Sequence, residues 1–216
     1  MHRSGELRAQ PGGQRCRYPR TGAFATISFP PEMPFPHNEL DAPVLHRGGC
    51  TLRSAFQPIY SFAHQRLIGH EALLRATDPG GLPVSPQTMF ARCNGTEELR
   101  RLDEACRSLH ARSFSLGVDS AQWLFLNVDA SAFASQPDAS ASAAPMREAV
   151  CRAGLLPSQI VIELLETALP DGPEFEAWTG LLKQAGFIVA LDDFGAGHSN
   201  FDRVFRLRPH IVKLDR

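Results

Sequence analysis

The feature that most constrains this chain is a series of short apolar runs, each ending on a carboxylate, an amide or an amine. They read LIGHEALLR at 67–75, WLFLNVD at 123–129, IVIELLE at 160–166, FIVALDDF at 187–194 and IVKLD at 211–215. Runs of this length, rich in branched residues and bounded by helix or turn signals, read as strands. Polar groups at the same end of successive strands gather at one mouth, which is how a hard cation is held.

The segments between the runs read as helices. Ser85 or Pro86 is the expected start of one that ends at Cys93. The spacing Leu99, Leu102, Cys106, Leu109 predicts an amphipathic helix over 97–114. Others are expected near 146–153, stopped by Gly154, across 175–185, stopped by Gly186, and around 200–206. AFQPIYSF at 55–62 lies close enough to LIGHEALLR to pair with it through a turn at 63–66. The stretch SQPDASASAAP at 135–145 reads as a surface loop. Alternating strands and helices predict an α/β fold with a parallel sheet. Closure into a barrel is favoured, because functional groups sit on five strands rather than at one switch point.

Composition narrows the class. Twenty-two Lys and Arg against twenty-three Asp and Glu exclude binding of DNA, RNA or a membrane surface through bulk charge. Five scattered cysteines with no CxxC pair suggest neither zinc nor a disulfide framework, and point to reduced thiols in a cytoplasmic protein. No apolar stretch approaches the roughly 20 residues of a membrane span, and no secretory signal is evident. Residues 1–49, rich in Pro, Gly and Arg, read as a disordered extension.

Glu71, Asn127, Glu163 and Asp192 each stand near the carboxyl end of a strand. One such residue is ordinarily a solvated strand end, but four acids and amides at one mouth need cations to neutralise them. Oxygen-only donors select Mg²⁺, Mn²⁺ or Ca²⁺ over zinc. The Asp192-Asp193 pair offers a bridge to a second ion, the device used for in-line displacement at phosphorus. Lys213 and Asp215, two apart, face the same way, either toward this chemistry or as a buried ion pair that fixes register. In DDFGAGHSN at 192–200 the glycines allow a tight loop, but the spacing is not a Walker pattern. His70 reads as a packing residue.

AFQPI, GHEALLR, LFLNVD, IELLET, ALDDFGAGHSN and IVKLD occur together, in order, over about residues 53–216. In this the chain resembles the EAL domain family, the cyclic di-GMP phosphodiesterases of bacterial signalling. The resemblance implies a (β/α)₈ TIM-like barrel of EAL type with one antiparallel strand. It implies that Glu71, Asn127, Glu163 and Asp192 hold a first metal and that Asp192 and Asp193 serve a second, the ions being Mg²⁺ or Mn²⁺. It gives Lys213 the task of orienting the attacking water, with Asp215 as its acidic companion. Gln57 and Arg75 would contact cyclic di-GMP, and Glu166 would steady the loop after DDFG. The implied reaction opens cyclic di-GMP to linear pGpG by in-line attack of a metal-activated water. A homodimer or linked signalling domains are compatible with this pattern.

Six of the barrel's eight strands are visible, so the domain at 50–216 is expected to be truncated before its last two strand–helix units. The strands beyond would carry a further glutamate and a glutamine, and hydrolysis by the 216-residue form is expected to be weak or absent. Two alternatives stand beside a phosphodiesterase. One is a non-catalytic EAL module that binds cyclic di-GMP or a protein. The other is an unrelated, enolase-like barrel using Mg²⁺ and a lysine base.

Overall fold

The computed structural model describes residues 42–61, 64–117, 122–128, 140–165, 172–195 and 201–214. β1 (Leu45–Arg47) and β2 (Cys50–Ser61) form a hairpin joined by Gly48 and Gly49, at φ +56° and +73°. Two successive positive φ values match the twist of the flanking strands, and glycine adopts them without strain. β2 pairs antiparallel with β3 (Arg66–Thr77), setting Gln57 opposite Glu71, and the short β4 (Pro83–Val84) pairs with the far end of β3.

From β3 onward the ladder is parallel, through β5 (Trp123–Asn127), β6 (Ile160–Leu165), β7 (Ile188–Phe194) and β8 (Ile211–Leu214), in chain order. The helices are α1 (Pro86–Ala91), α2 (Thr96–Ser115), α3 (Ser140–Arg152), α4 (Pro173–Gln184) and α5 (Phe201–Leu207). Ser85 caps α1, its Oγ accepting from Thr88 N–H at 3.1 Å. This is the expected parallel α/β barrel sheet with a long antiparallel strand, and it is not closed. Among the described residues β8 has β7 as its one neighbour.

Two regions differ from the sequence reading. The sheet begins at Leu45, inside the segment read as an extension, because the Gly48-Gly49 turn folds β1 back onto β2. Residues 140–145, read as loop, form the first turns of α3, with Pro145 inside the helix. Ala143, Met146 and Val150 recur at helical spacing and are buried in the main core, so tertiary packing outweighs the proline.

Alternation along the strands divides the sheet into two faces. Leu124, Leu126, Ile160, Ile162, Leu164, Val189 and Leu191 pack under the helices with Phe114, Met146 and Trp178. Ile59, Phe125, Val161, Ile188 and Ala190 form a separate apolar cluster on the opposite face, which is the barrel interior. Strands buried on both faces read as continuous apolar runs, which is why they stand out in the sequence. Among the described residues no helix is long and apolar enough to cross a membrane.

Candidate active site

The period of two along each strand decides which side chains share the interior face. Glu71 pairs in register with Phe125, Asn127 with Glu163, Glu163 with Ala190, and Ala190 with Ile211, two residues before Lys213. Five strands thus deliver Glu71, Asn127, Glu163, Asp192 and Lys213 to one side of the sheet.

At the centre stands the Lys213 ammonium. Its Nζ donates to Glu163 Oε1 at 2.6 Å and to Asp192 Oδ2 at 2.8 Å, and lies 3.7 Å from Glu71 Oε2. Asn127 Nδ2 donates to Glu71 Oε1 at 2.9 Å, at the exposed rim. Glu163 is the deepest member, 1 % exposed, and its Oε2 is buried without a hydrogen-bond partner. Gln57 is half-buried opposite Glu71, and Arg75 stands exposed two pleats further along β3, its Nη1 donating to Leu74 O at 3.3 Å.

The charges do not balance. Three carboxylates around one ammonium leave a formal excess of two negative charges. Burial and then the nearby Glu71 push Glu163 up to about 8, against the pull of Lys213. Burial opposes the Lys213 charge, but Glu163 and Glu71 outweigh it and hold its pKa above the usual lysine value. Both shifts have one sense: the cluster retains protons because it lacks positive charge.

β7 is irregular at this point. Its register against β8 shifts between Leu191 and Phe194, and Asp193 sits at φ +54°, exposed, with its N–H donating to Asp192 Oδ1 at 2.9 Å. Such a bulge re-aims neighbouring side chains, and aspartate tolerates the left-handed region better than most residues. Alternation from Ala190 keeps Asp192 inward, and Asp193, at the bulge, stays exposed at the outer edge. Beyond it, Phe194 stacks edge-on against Phe201 of α5, ring centres 5.2 Å apart.

The donor set suits a hard divalent cation: carboxylates, an amide and an orphaned buried carboxylate oxygen, with two charges to neutralise. Among the described residues, however, no three His, Cys, Asp or Glu side chains form a finished metal cage. The carboxylates have closed on the ammonium instead. Glu166 and Asp215, two further residues singled out in the sequence, lie outside the described residues, as do His198 and Asn200.

His70 faces the helices, edge-on to Phe114 with ring centres 6.1 Å apart, which fits a packing role. Gly69 also shapes the site. A Cβ there would lie 2.3 Å from the Trp123 carbonyl oxygen, so only glycine lets β3 and β5 come together beside Glu71. An isolated glycine within a strand pattern is the signal that marks it.

A parallel barrel sheet with acids, an amide and a lysine at the carboxyl ends of its strands is the site architecture of barrel enzymes. The EAL domain family matches residues 43–216, and this chain belongs to that family. Escherichia coli K12 PdeB, named a probable cyclic di-GMP phosphodiesterase, is 28% identical over 189 residues, 84% of this chain and 34% of that protein. Klebsiella pneumoniae BlrP1, solved as a manganese and cyclic di-GMP complex at pH 9.0, is 30% identical with a TM-score of 0.64. The match covers 80% of this chain and 42% of that one. The Bacillus subtilis YkuI structure shares the fold at 22% identity and a TM-score of 0.66, over 76% of this chain and 41% of that one. The chain spans between 24% and 34% of the first curated relatives it matches.

Proposed function

We propose that this chain carries a cyclic di-GMP phosphodiesterase site that uses divalent cations, Mg²⁺ or Mn²⁺, and yields linear pGpG. The observation that carries the reading is the Lys213 ammonium held by Glu163 and Asp192 and close to Glu71, in a cluster richer in acids than in bases. Relatives named for cyclic di-GMP hydrolysis and a neighbour solved with manganese and the dinucleotide support it.

Glu71, Asn127, Glu163 and Asp192 would hold a first cation, with Asp192 and Asp193 turned toward a second. Bound there, the cations supply Lewis acidity to a phosphate oxygen and lower the pKa of a water. With a cation held by the carboxylates, Lys213 Nζ would have donors free to fix that water in line with the scissile bond. The water oxygen would bond to phosphorus as the P–O bond to one ribose oxygen breaks; the proton the water gives up is balanced by the one that this leaving oxygen takes up. Gln57, half-buried beside Glu71, and Arg75, exposed further out, flank one side of the mouth and would hold the nucleotide's guanine and phosphate. Asp215 would set the charge near Lys213, and Glu166 would brace the loop after β7. We assign these roles to a domain over 50–216 in a cytoplasmic signalling protein, as a homodimer or joined to other domains.

The test is incubation with cyclic di-GMP and Mn²⁺, with the linear product followed by chromatography. Slow formation of product that needs the cation and vanishes in Glu71→Ala is expected. The other outcome is a receptor that binds the dinucleotide without cleaving it. Binding without product would select it. Neither binding nor product would remove both.

A further inference from the structure

Lys213 reaches the carboxylates from β8, a strand of four residues, Ile211–Leu214. Its short ladder to β7 is interrupted by the bulge, with pairs at Ala190–Ile211 and Leu191–Val212 before the shift. The lysine's position depends on what fixes the start of that strand.

The start is fixed unusually. His210 N–H donates to Val189 O at 2.8 Å, the normal parallel pattern. In a regular ladder the returning Val189 N–H would go to the carbonyl two residues earlier, that of Arg208. Arg208 is at φ +45°, and its carbonyl accepts instead from Lys183 Nζ of α4 at 3.0 Å, as does the Leu207 carbonyl. The intervening Pro209 has no N–H to offer. Val189 is buried, so its amide needs a partner. That partner is His210 Nδ1, 3.0 Å away. Since the backbone N–H is the donor, the ring nitrogen must be an acceptor, carrying no proton.

We propose that His210 is a positioning residue: its unprotonated Nδ1 closes the β7–β8 ladder at Val189 and so holds the strand that brings Lys213 to Glu71, Glu163 and Asp192. This rests on the reading of Lys213 given above. The charged group acting on the ring is Lys183 from α4, which in turn feels the cationic Arg208. A proton on Nδ1 would oppose the Val189 N–H and add a positive charge beside Lys183. Burial and then Lys183 lower the His210 pKa below its ordinary value, so the clamp holds at neutral pH and fails as pH falls through that lowered value.

The test measures Val189 amide exchange by NMR against pH in the wild type, His210→Asn and His210→Ala. Asparagine offers an acceptor near the place of Nδ1 and does not titrate. Protection at neutral pH in the wild type, lost by about tenfold on acidification, is expected. His210→Asn should keep protection across that range, and His210→Ala should lack it throughout. The Lys213 ammonium ¹⁵N signal should shift with the Val189 amide. Turnover of cyclic di-GMP should fall about tenfold in kcat in His210→Ala, with KM nearly unchanged and asparagine restoring the rate. Equal Val189 protection in the wild type and His210→Ala would overturn the clamp. An open amide with an unmoved Lys213 signal would overturn the positioning. Lys213→Met separates the two layers: if it turns over like the wild type, the reading of Lys213 fails, while Val189 exchange still judges His210.

Discussion

Charge is buried in two places in this molecule, with opposite bookkeeping. On α2, Asp103 and Arg107 stand one helical turn apart and pair with each other, each side chain 7% exposed. One acid meets one base, and the pair belongs to the helix that carries it. At the barrel mouth, three acids from three strands meet a single lysine from a fourth, and Glu163 keeps an unpartnered oxygen. A buried pair of equal charges can be replaced by apolar residues at little cost. A buried excess of one sign is costly to keep and is retained where a ligand completes it. The first place is structure and the second is a site.

That contrast predicts mutations of opposite kind. The largest effect is on turnover: Glu163→Gln should lower cyclic di-GMP hydrolysis by ~10³-fold, the scale of losing a central electrostatic group. Its thermal midpoint should hold or rise, because a neutral amide replaces a carboxyl that burial already drives toward its neutral form, and still accepts from Lys213. A steep loss of stability in that variant would break the contrast from the site's side. On α2 the effect should be on stability alone. Arg107→Met leaves Asp103 buried and unpaired and should cost about 3–5 kcal/mol in denaturant unfolding. Adding Asp103→Leu should recover most of it, with turnover per folded molecule unchanged in both.

Next in size is a pH effect, also on α2. His110 lies against this pair, with Nδ1 2.8 Å from Ser54 Oγ, and burial and then Arg107 lower its pKa to about 4. The unfolded value is about 6.5. The unfolded chain therefore binds more protons between these limits, and stability present above about pH 6.5 is lost as pH falls toward 4. The loss should be on the order of 3 kcal/mol, and His110→Gln should flatten that part of the curve. The smallest effect is at Gly69, where Ala places a Cβ against the Trp123 carbonyl and should cost about 1–3 kcal/mol. Turnover should fall with it if the β3–β5 approach sets Glu71.

Much of this was legible in the sequence, for identifiable reasons. The parallel strands β5, β6 and β7 stood out because a parallel sheet is apolar on both faces. Glu71, Asn127, Glu163, Asp192 and Lys213 could be placed together because a period of two and a shared strand end fix where a side chain goes. What escaped was set by context. The helix through 140–145 depends on Ala143 and Met146 finding a core that composition alone does not reveal. The Gly48-Gly49 hairpin was readable as a two-residue turn but lay in a segment dominated by Pro and Arg. That Asp193 stays outside the carboxylate cluster goes with the bulge in β7, which leaves no periodic trace. His210 gave no signal, since its role depends on a carbonyl turned elsewhere.

The most direct test of the central claim is a Mn²⁺ titration of the chain, with free ion followed by its electron paramagnetic resonance signal. The account predicts that the wild type removes Mn²⁺ from solution and that Glu163→Gln and Glu71→Ala do so far less, while Arg107→Met with Asp103→Leu binds like the wild type. Equal binding by wild type and Glu163→Gln, or no binding by either, would contradict it.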